Sequence, residues 1–340
     1  MRTIPLIWDS NCYNQCMDIY IGYDSALRFW RRQGRTRGSY VHRQRRSKLP
    51  SRLIKTNAAS IERVLQVTGL ELPLDILVAA PNARSKSRIQ KTHVCSRPLP
   101  ENSFISVGEG VYVSSPELCF FQMASQLTLI KLIELGFELC GSYTPSVINQ
   151  GGENPAALSI SQFNLPKLTD EKRIASLVER MVGVHGYKLA AKALPYIADG
   201  SNSPMETILT MLLTLPYRLG GYGLRMPSLN YPVVPVKALR RTTGRSHFRC
   251  DLFWPEEKLA VEYDSEEYHG NIRKIAEDAA RRNVLTSLGM PPIIVTKQQL
   301  YSVFESEKIA IQLARILGKQ LKHKKPGFSE ARYSLRKSLL

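Results

Sequence analysis

The chain has 340 residues and a formal charge of +18, from 47 Lys and Arg against 29 Asp and Glu, and 43% of it is apolar. That apolar share excludes a disordered or low-complexity chain, and the length points to two domains. No apolar run reaches the roughly 18 residues of a membrane helix, and the six cysteines form no Cys-x-x-Cys pair, so we expect no membrane association and reduced thiols in a cytoplasm.

In chain order, Met17–Tyr23 reads as a strand, and Asp24–Arg32 starts a helix with Asp24 as its cap. Ser60–Thr68 reads as a helix closed by Gly69, Leu74–Ala80 as a buried strand, and Pro81–Lys91 as a basic loop. Val111–Val113 is a strand that leads into Ser114-Ser115-Pro116-Glu117, a helix start with proline near its first position. A further helix runs through Leu132 and ends at Gly136 or Gly141. Gln150-Gly151-Gly152-Glu153-Asn154-Pro155 is the strongest linker signal. Helices are expected over Asp170–Val182 and Gly186–Leu194, and a third begins with Ser203 as cap, Pro204 first and Glu206 third.

Phe248–Trp254 and Leu259–Asp264 read as two strands of a hairpin joined by Pro255-Glu256-Glu257-Lys258. Alternation places Arg249, Asp251 and Phe253 on one face of the first strand, and Glu262 and Asp264 on one face of the second. Paired in register, Asp251, Glu262 and Asp264 would converge, and their mutual repulsion calls for a cation such as Mg²⁺ or Mn²⁺. Asn271–Leu288 is then a helix stopped by Gly289, Ile293–Val295 a buried strand, and Tyr301–Lys319 an amphipathic helix. Asp278 and Arg281 are spaced to pair on the first of these helices.

Charge is distributed unevenly along this frame. Eleven basic residues and no acid lie between Asp24 and Glu62, among them Arg31, Arg32, Arg45 and Arg46. Residues 251–267 hold seven acids against Lys258 alone. The basic stretch suggests a polyanion partner, and the acidic segment is either a solvated turn or a metal site.

Asp251-x10-Glu262-x-Asp264, with Trp254-Pro255-Glu256, His269, Asp278-x-x-Arg281 and Gly289, resembles the PD-(D/E)xK nuclease superfamily. Within it, the pattern is similar to small bacterial endonuclease-like domains related to very-short-patch repair endonucleases. Ser203-Pro204-Met205-Glu206 resembles the first helix of the same domain, and the likeness covers roughly residues 200–318. One departure is Ser265, where that branch has glycine. Val111–Glu117 and the helix behind it faintly resemble proteins related to the abortive-infection antitoxin of type IV toxin–antitoxin systems.

These resemblances imply an α/β (α+β) protein: an α+β N-terminal basic module over 1–144, a linker over 145–168 and connecting helices over 169–200. A restriction-endonuclease-like core follows over 201–319 (helix, three-stranded sheet with its β-hairpin, helix, strand, helix), then a basic tail over 320–340. They imply Mg²⁺- or Mn²⁺-dependent hydrolysis of DNA phosphodiesters in a bacterial cytoplasm. Asp251 and Glu262 would hold the metal, and Glu206 would complete its shell unless it serves only as a helix cap. Asp264 would sit where the wider superfamily has lysine, and His269 would be the general base or electrostatic helper. Arg31, Arg32, Arg45, Arg46, Arg249 and Arg281 would hold phosphates. The alternative is a DNA-binding regulator of antitoxin type, with an inactive nuclease fold and a toxin or other protein as partner.

Overall fold

The computed structural model describes residues 18–32, 45–46, 57–85, 87–145, 162–233, 248–264, 272–322 and 326–340. The chain divides into two compact units, 1–123 and 124–340. Both are mixed α/β.

The first unit runs β1 (Ile19–Ile21), α1 (Tyr23–Arg32), β2 (Arg45–Arg46), α2 (Ala58–Thr68), β3 (Leu74–Val78), β4 (Gln90–Val94), β5 (Phe104–Gly108), β6 (Val111–Ser114) and α3 (Pro116–Met123). Its strands form one sheet in the order β2-β5-β6-β1-β3-β4, with β1 parallel to β6 and antiparallel to β3. Tyr20, Phe29, Trp30, Phe104 and Phe120 fill the core, and the Trp30 indole donates to Ser114 O at 2.9 Å. A buried Trp that also satisfies its N–H contributes its apolar area without an unpaired donor. Gly69 ends α2 at φ 62°, as the sequence predicts.

The start of α1 differs from expectation. Asp24 lies inside the helix and pairs with Arg28 at 3.0 Å. The cap comes from another element: Asp75 Oδ2, on β3, accepts from the Ser25 amide (3.2 Å) and hydroxyl (3.1 Å), and Ser25 Oγ accepts from the Asp75 amide (2.7 Å). The other oxygen, Asp75 Oδ1, shares a 2.7 Å hydrogen bond with His93 Nε2 on β4. One buried carboxylate thus ties two strands to a helix terminus. The latter part of the predicted basic loop is strand β4, parallel to β3. As the last strand of the sheet it carries Lys91 on an exposed position, which masks its strand pattern.

The second unit begins with α4 (Leu129–Cys140), α5 (Glu171–Glu179), α6 (Tyr187–Ala193) and α7 (Pro204–Thr214). It continues through β7 (Ser228–Val233), β8 (Phe248–Trp254), β9 (Leu259–Asp264), α8 (Ile272–Ser287) and β10 (Ile293–Thr296). It ends with α9 (Lys297–Tyr301), α10 (Val303–Ile316) and α11 (Phe328–Leu339). Its sheet has the order β10-β9-β8-β7, antiparallel across β7, β8 and β9, with β10 parallel to β9. The parallel pair requires a crossover, and α8 supplies it. Strand β7 is absent from the sequence expectation because Asn230 and Pro232 interrupt it; as an edge strand it tolerates both.

Residues 320–340 are not simply a basic tail. Phe328, Leu335 and Leu339 of α11 are buried, and Arg336 donates to Leu300 O and Tyr301 O, each at 2.6 Å. The run of bases hides an apolar face at helical spacing. A chain ending at Lys322 should melt several degrees below the full chain in a thermal scan. No helix among the described residues is long and apolar enough to cross a membrane.

Candidate active site

Of the described residues predicted to act together, Glu206 lies on α7, Asp251 on β8, and Glu262 and Asp264 on β9. Ser203 caps α7 by accepting from the Glu206 amide at 3.1 Å, with Pro204 first in the helix. Only this half of the expected capping box forms. The Glu206 side chain turns past the Ser203 backbone, and its Oε2 accepts from the Asn202 amide (2.9 Å) and from Asn230 Nδ2 (2.7 Å). Asn230 holds a left-handed backbone at φ 48° and donates to Gly200 O as well, at 2.9 Å. Strand β7 therefore holds the Glu206 carboxylate in place.

On the hairpin, Leu252, Phe253 and Trp254 pair with Val261, Ala260 and Leu259. Beyond Leu252 a side chain enters the ladder: Asp251 Oδ2 accepts from the Tyr263 amide at 2.8 Å. Strict alternation fails at the same place. Cys250 and Phe253, three residues apart, belong to one apolar cluster with Val233, Ala260 and Leu285 of α8. The expected grouping of Arg249, Asp251 and Phe253 on one face is thus corrected. The pairs Leu229–Leu252 and Tyr231–Cys250 bracket Asp251 against Asn230, whose positive φ marks the irregularity.

Glu262 is only 2% exposed and forms an ion pair with Arg281 of α8. The neighbouring Arg282 lies 3.6 Å from Asp264, and both of these side chains are about half exposed. Arg281 thus engages Glu262, and the predicted Asp278–Arg281 pairing falls outside the described residues, because the Asp278 side chain does.

Electrostatics couple these groups. Burial, then the negative charge of Asp251, pushes the Glu206 carboxyl up to about 8, against the pull of its Asn202, Asn230 and Ser203 hydrogen bonds. The Cys250 thiol is pushed up to about 12 by burial and by Glu262, with Arg281 opposing. Because Glu206 is raised above its unfolded value, the folded state holds a proton that the unfolded state releases. Stability from this group is full at acid pH and falls as pH rises from about 4.5 towards 8. Glu206→Gln should flatten that slope, and in EDTA at pH 9 it should be the more stable form by a few kcal/mol, as read by urea melts across pH.

The structure brings Glu206 and Asp251 within mutual influence and joins Glu262 to Arg281. Among the described residues no three His, Cys, Asp or Glu side chains are grouped so as to hold a metal ion. The expected convergence of Asp251, Glu262 and Asp264 therefore does not appear in that form, since Glu262 and Asp264 each engage an arginine of α8. The donor chemistry still suits a hard cation. Glu206 and Asp251 form a carboxylate pair whose repulsion a divalent ion would relieve, and Mg²⁺ accepts one or two carboxylates with water completing its shell.

His269 lies outside the described residues. Arg249 is exposed, and its Nη1 donates to Asn230 O at 3.2 Å. Arg31 and Arg32 end α1 in the first unit, where Arg32 donates to Gly69 O (2.9 Å) and Glu71 (2.7 Å). Arg45 and Arg46 pair with Ile105 and Phe104 through their backbones; their side chains lie outside the description. Sequence reasoning missed Asn230 and Arg282. An asparagine ahead of a proline in an apolar run is the signal that marks the first.

No family model matches the chain, and no solved structure matches it. Two curated relatives from Mycobacterium tuberculosis match, the uncharacterized protein Rv2248 (strain ATCC 25618 / H37Rv) and the uncharacterized protein MT2308 (strain CDC 1551 / Oshkosh). Each is 28% identical over 146 residues, 42% of this chain. The chain spans about half the length of these relatives, 48% of each.

Proposed function

We propose that residues 201–319 are a restriction-endonuclease-like core that hydrolyses DNA phosphodiesters with Mg²⁺ or Mn²⁺. The observation that carries this reading is the succession α7, three antiparallel strands, α8 and a parallel strand, with Glu206, Asp251 and Glu262 on the first helix and the two central strands. Asp251 and Glu262 are the metal-holding residues, and Glu206 supports the same cation beside Asp251. When bound, the cation would supply a Lewis acid and an activated water. Asn230 orients Glu206, and the Tyr263 amide orients Asp251. Asp264 is half exposed beside Arg282, in a position to meet solvent or substrate. The surplus of positive charge supports a polyanionic substrate held by Arg249 and by the basic stretches, Arg31, Arg32, Arg45 and Arg46 among them. Among the described residues Cys95, Cys119, Cys140 and Cys250 form no disulfide, which supports a reducing bacterial cytoplasm as the site of action. The test is nicking of supercoiled plasmid by the purified chain with Mg²⁺ or Mn²⁺ and its suppression by EDTA.

A second reading, a regulator that binds DNA without cutting it and has a toxin or other protein as partner, is favoured by the arginines on Glu262 and Asp264 and by Ser265. It requires salt-dependent DNA binding that ignores both EDTA and substitution of Asp251 or Glu262.

A further inference from the structure

The α8 arginines engage the two carboxylates of β9. Arg281 pairs with Glu262, a nearly fully buried carboxylate, while Arg281 itself keeps 28% of its side chain exposed. Arg282 lies beside Asp264. A buried carboxylate needs a positive partner, and a guanidinium and a divalent cation are alternative ways to supply one.

We propose that Arg281 is a displaceable internal counter-ion: it satisfies Glu262 in the resting protein, yields that carboxylate to the incoming divalent cation, and then turns to the nucleic-acid phosphate. The inference rests on the metal-site reading above and adds its regulation. Three features make the exchange physically reasonable. The ion pair joins two different elements, so it can open without breaking β9. The partly exposed guanidinium has a path to solvent. Its planar fork suits a phosphate as well as a carboxylate. Metal and phosphate would then be coupled through one side chain, and each should strengthen binding of the other.

The test measures Mn²⁺ binding by the loss of the free-ion signal in electron paramagnetic resonance, using the full chain, with circular dichroism as the check on folding. Arg281→Gln removes the competitor and should bind Mn²⁺ about tenfold more tightly than wild type. Arg281→Lys, which keeps a charge and perturbs the fold less, should fall between them. A purely structural arginine would shift affinity the other way. In the second arm, binding of a short DNA duplex is measured with Ca²⁺ and with EDTA. Arg281→Gln should weaken binding several-fold with Ca²⁺ and leave it unchanged in EDTA. If wild type binds Mn²⁺ and Arg281→Gln binds it equally or less well, the exchange is overturned and the metal site stands. Equal loss of DNA affinity with Ca²⁺ and with EDTA also overturns the exchange. If folded wild type and folded Arg281→Gln both fail to bind Mn²⁺, the metal-site reading falls and the exchange falls with it.

Discussion

Asp251→Ala and Glu262→Gln should each lower Mg²⁺-dependent nicking by about a hundred- to a thousandfold, the scale on which removal of one preorganised electrostatic group acts. Quantified plasmid nicking at fixed enzyme and metal concentrations gives the measurement. The two substitutions probe different local physics. Asp251 accepts the Tyr263 amide, so its loss opens one hydrogen bond at the irregular point of β8. Glu262 carries the Arg281 pair, so truncation to alanine would leave a guanidinium without its partner; glutamine keeps the shape and removes the charge. Melting temperatures near wild type alongside lost nicking would assign the loss to chemistry. Undiminished nicking by both variants would remove the site from Asp251 and Glu262 altogether.

The second large effect is in the first unit and concerns stability. Asp75→Ala should destabilise that unit by about 2–4 kcal/mol, read from denaturant melts of the full chain. The substitution removes the cap of α1 and strips Ser25 and His93 of one acceptor. Burial pushes the Asp75 carboxyl up, but the His93 hydrogen bond and charge and the Ser25 donors together outweigh it, leaving the group below its ordinary value. A depressed carboxyl contributes stability that is full above the unfolded value. That contribution fades as pH falls through the folded value, so the loss begins below about pH 4. Asp75→Asn should blunt this acid sensitivity while keeping an acceptor for Ser25.

The hairpin was the most legible part of the sequence. The strands β8 and β9 occupy the residues that the pattern predicts, because apolar runs of strand length flank a short polar turn. Helix ends at Gly69 and Gly289 were legible for a local reason, since a positive φ there favours glycine. What escaped the sequence depends on partners distant in the chain. Asp75 caps α1 from another element, and nothing near Asp24 announces it. Strand β7 escaped because Asn230 and Pro232 break a propensity pattern that tertiary pairing overrides. At the candidate site, Glu206, Asp251 and Glu262 could be singled out from the sequence, but their partners Asn230, the Tyr263 amide and Arg281 could not. Whether Glu262 meets a metal or Arg281 depends on how α8 lies against β9, which period and charge alone do not specify.

Pro232 has a consequence for how copies of the protein meet. Strand β7 is the outer member of its sheet, and a bare outer strand is a template on which another chain can add its own. A proline there offers no amide to a neighbouring chain, and the turn in backbone direction at Asn230 spoils a straight docking line. Among the described residues, the same two that obscure the strand in the sequence are thus of the kind that disfavours addition of a further strand at this edge.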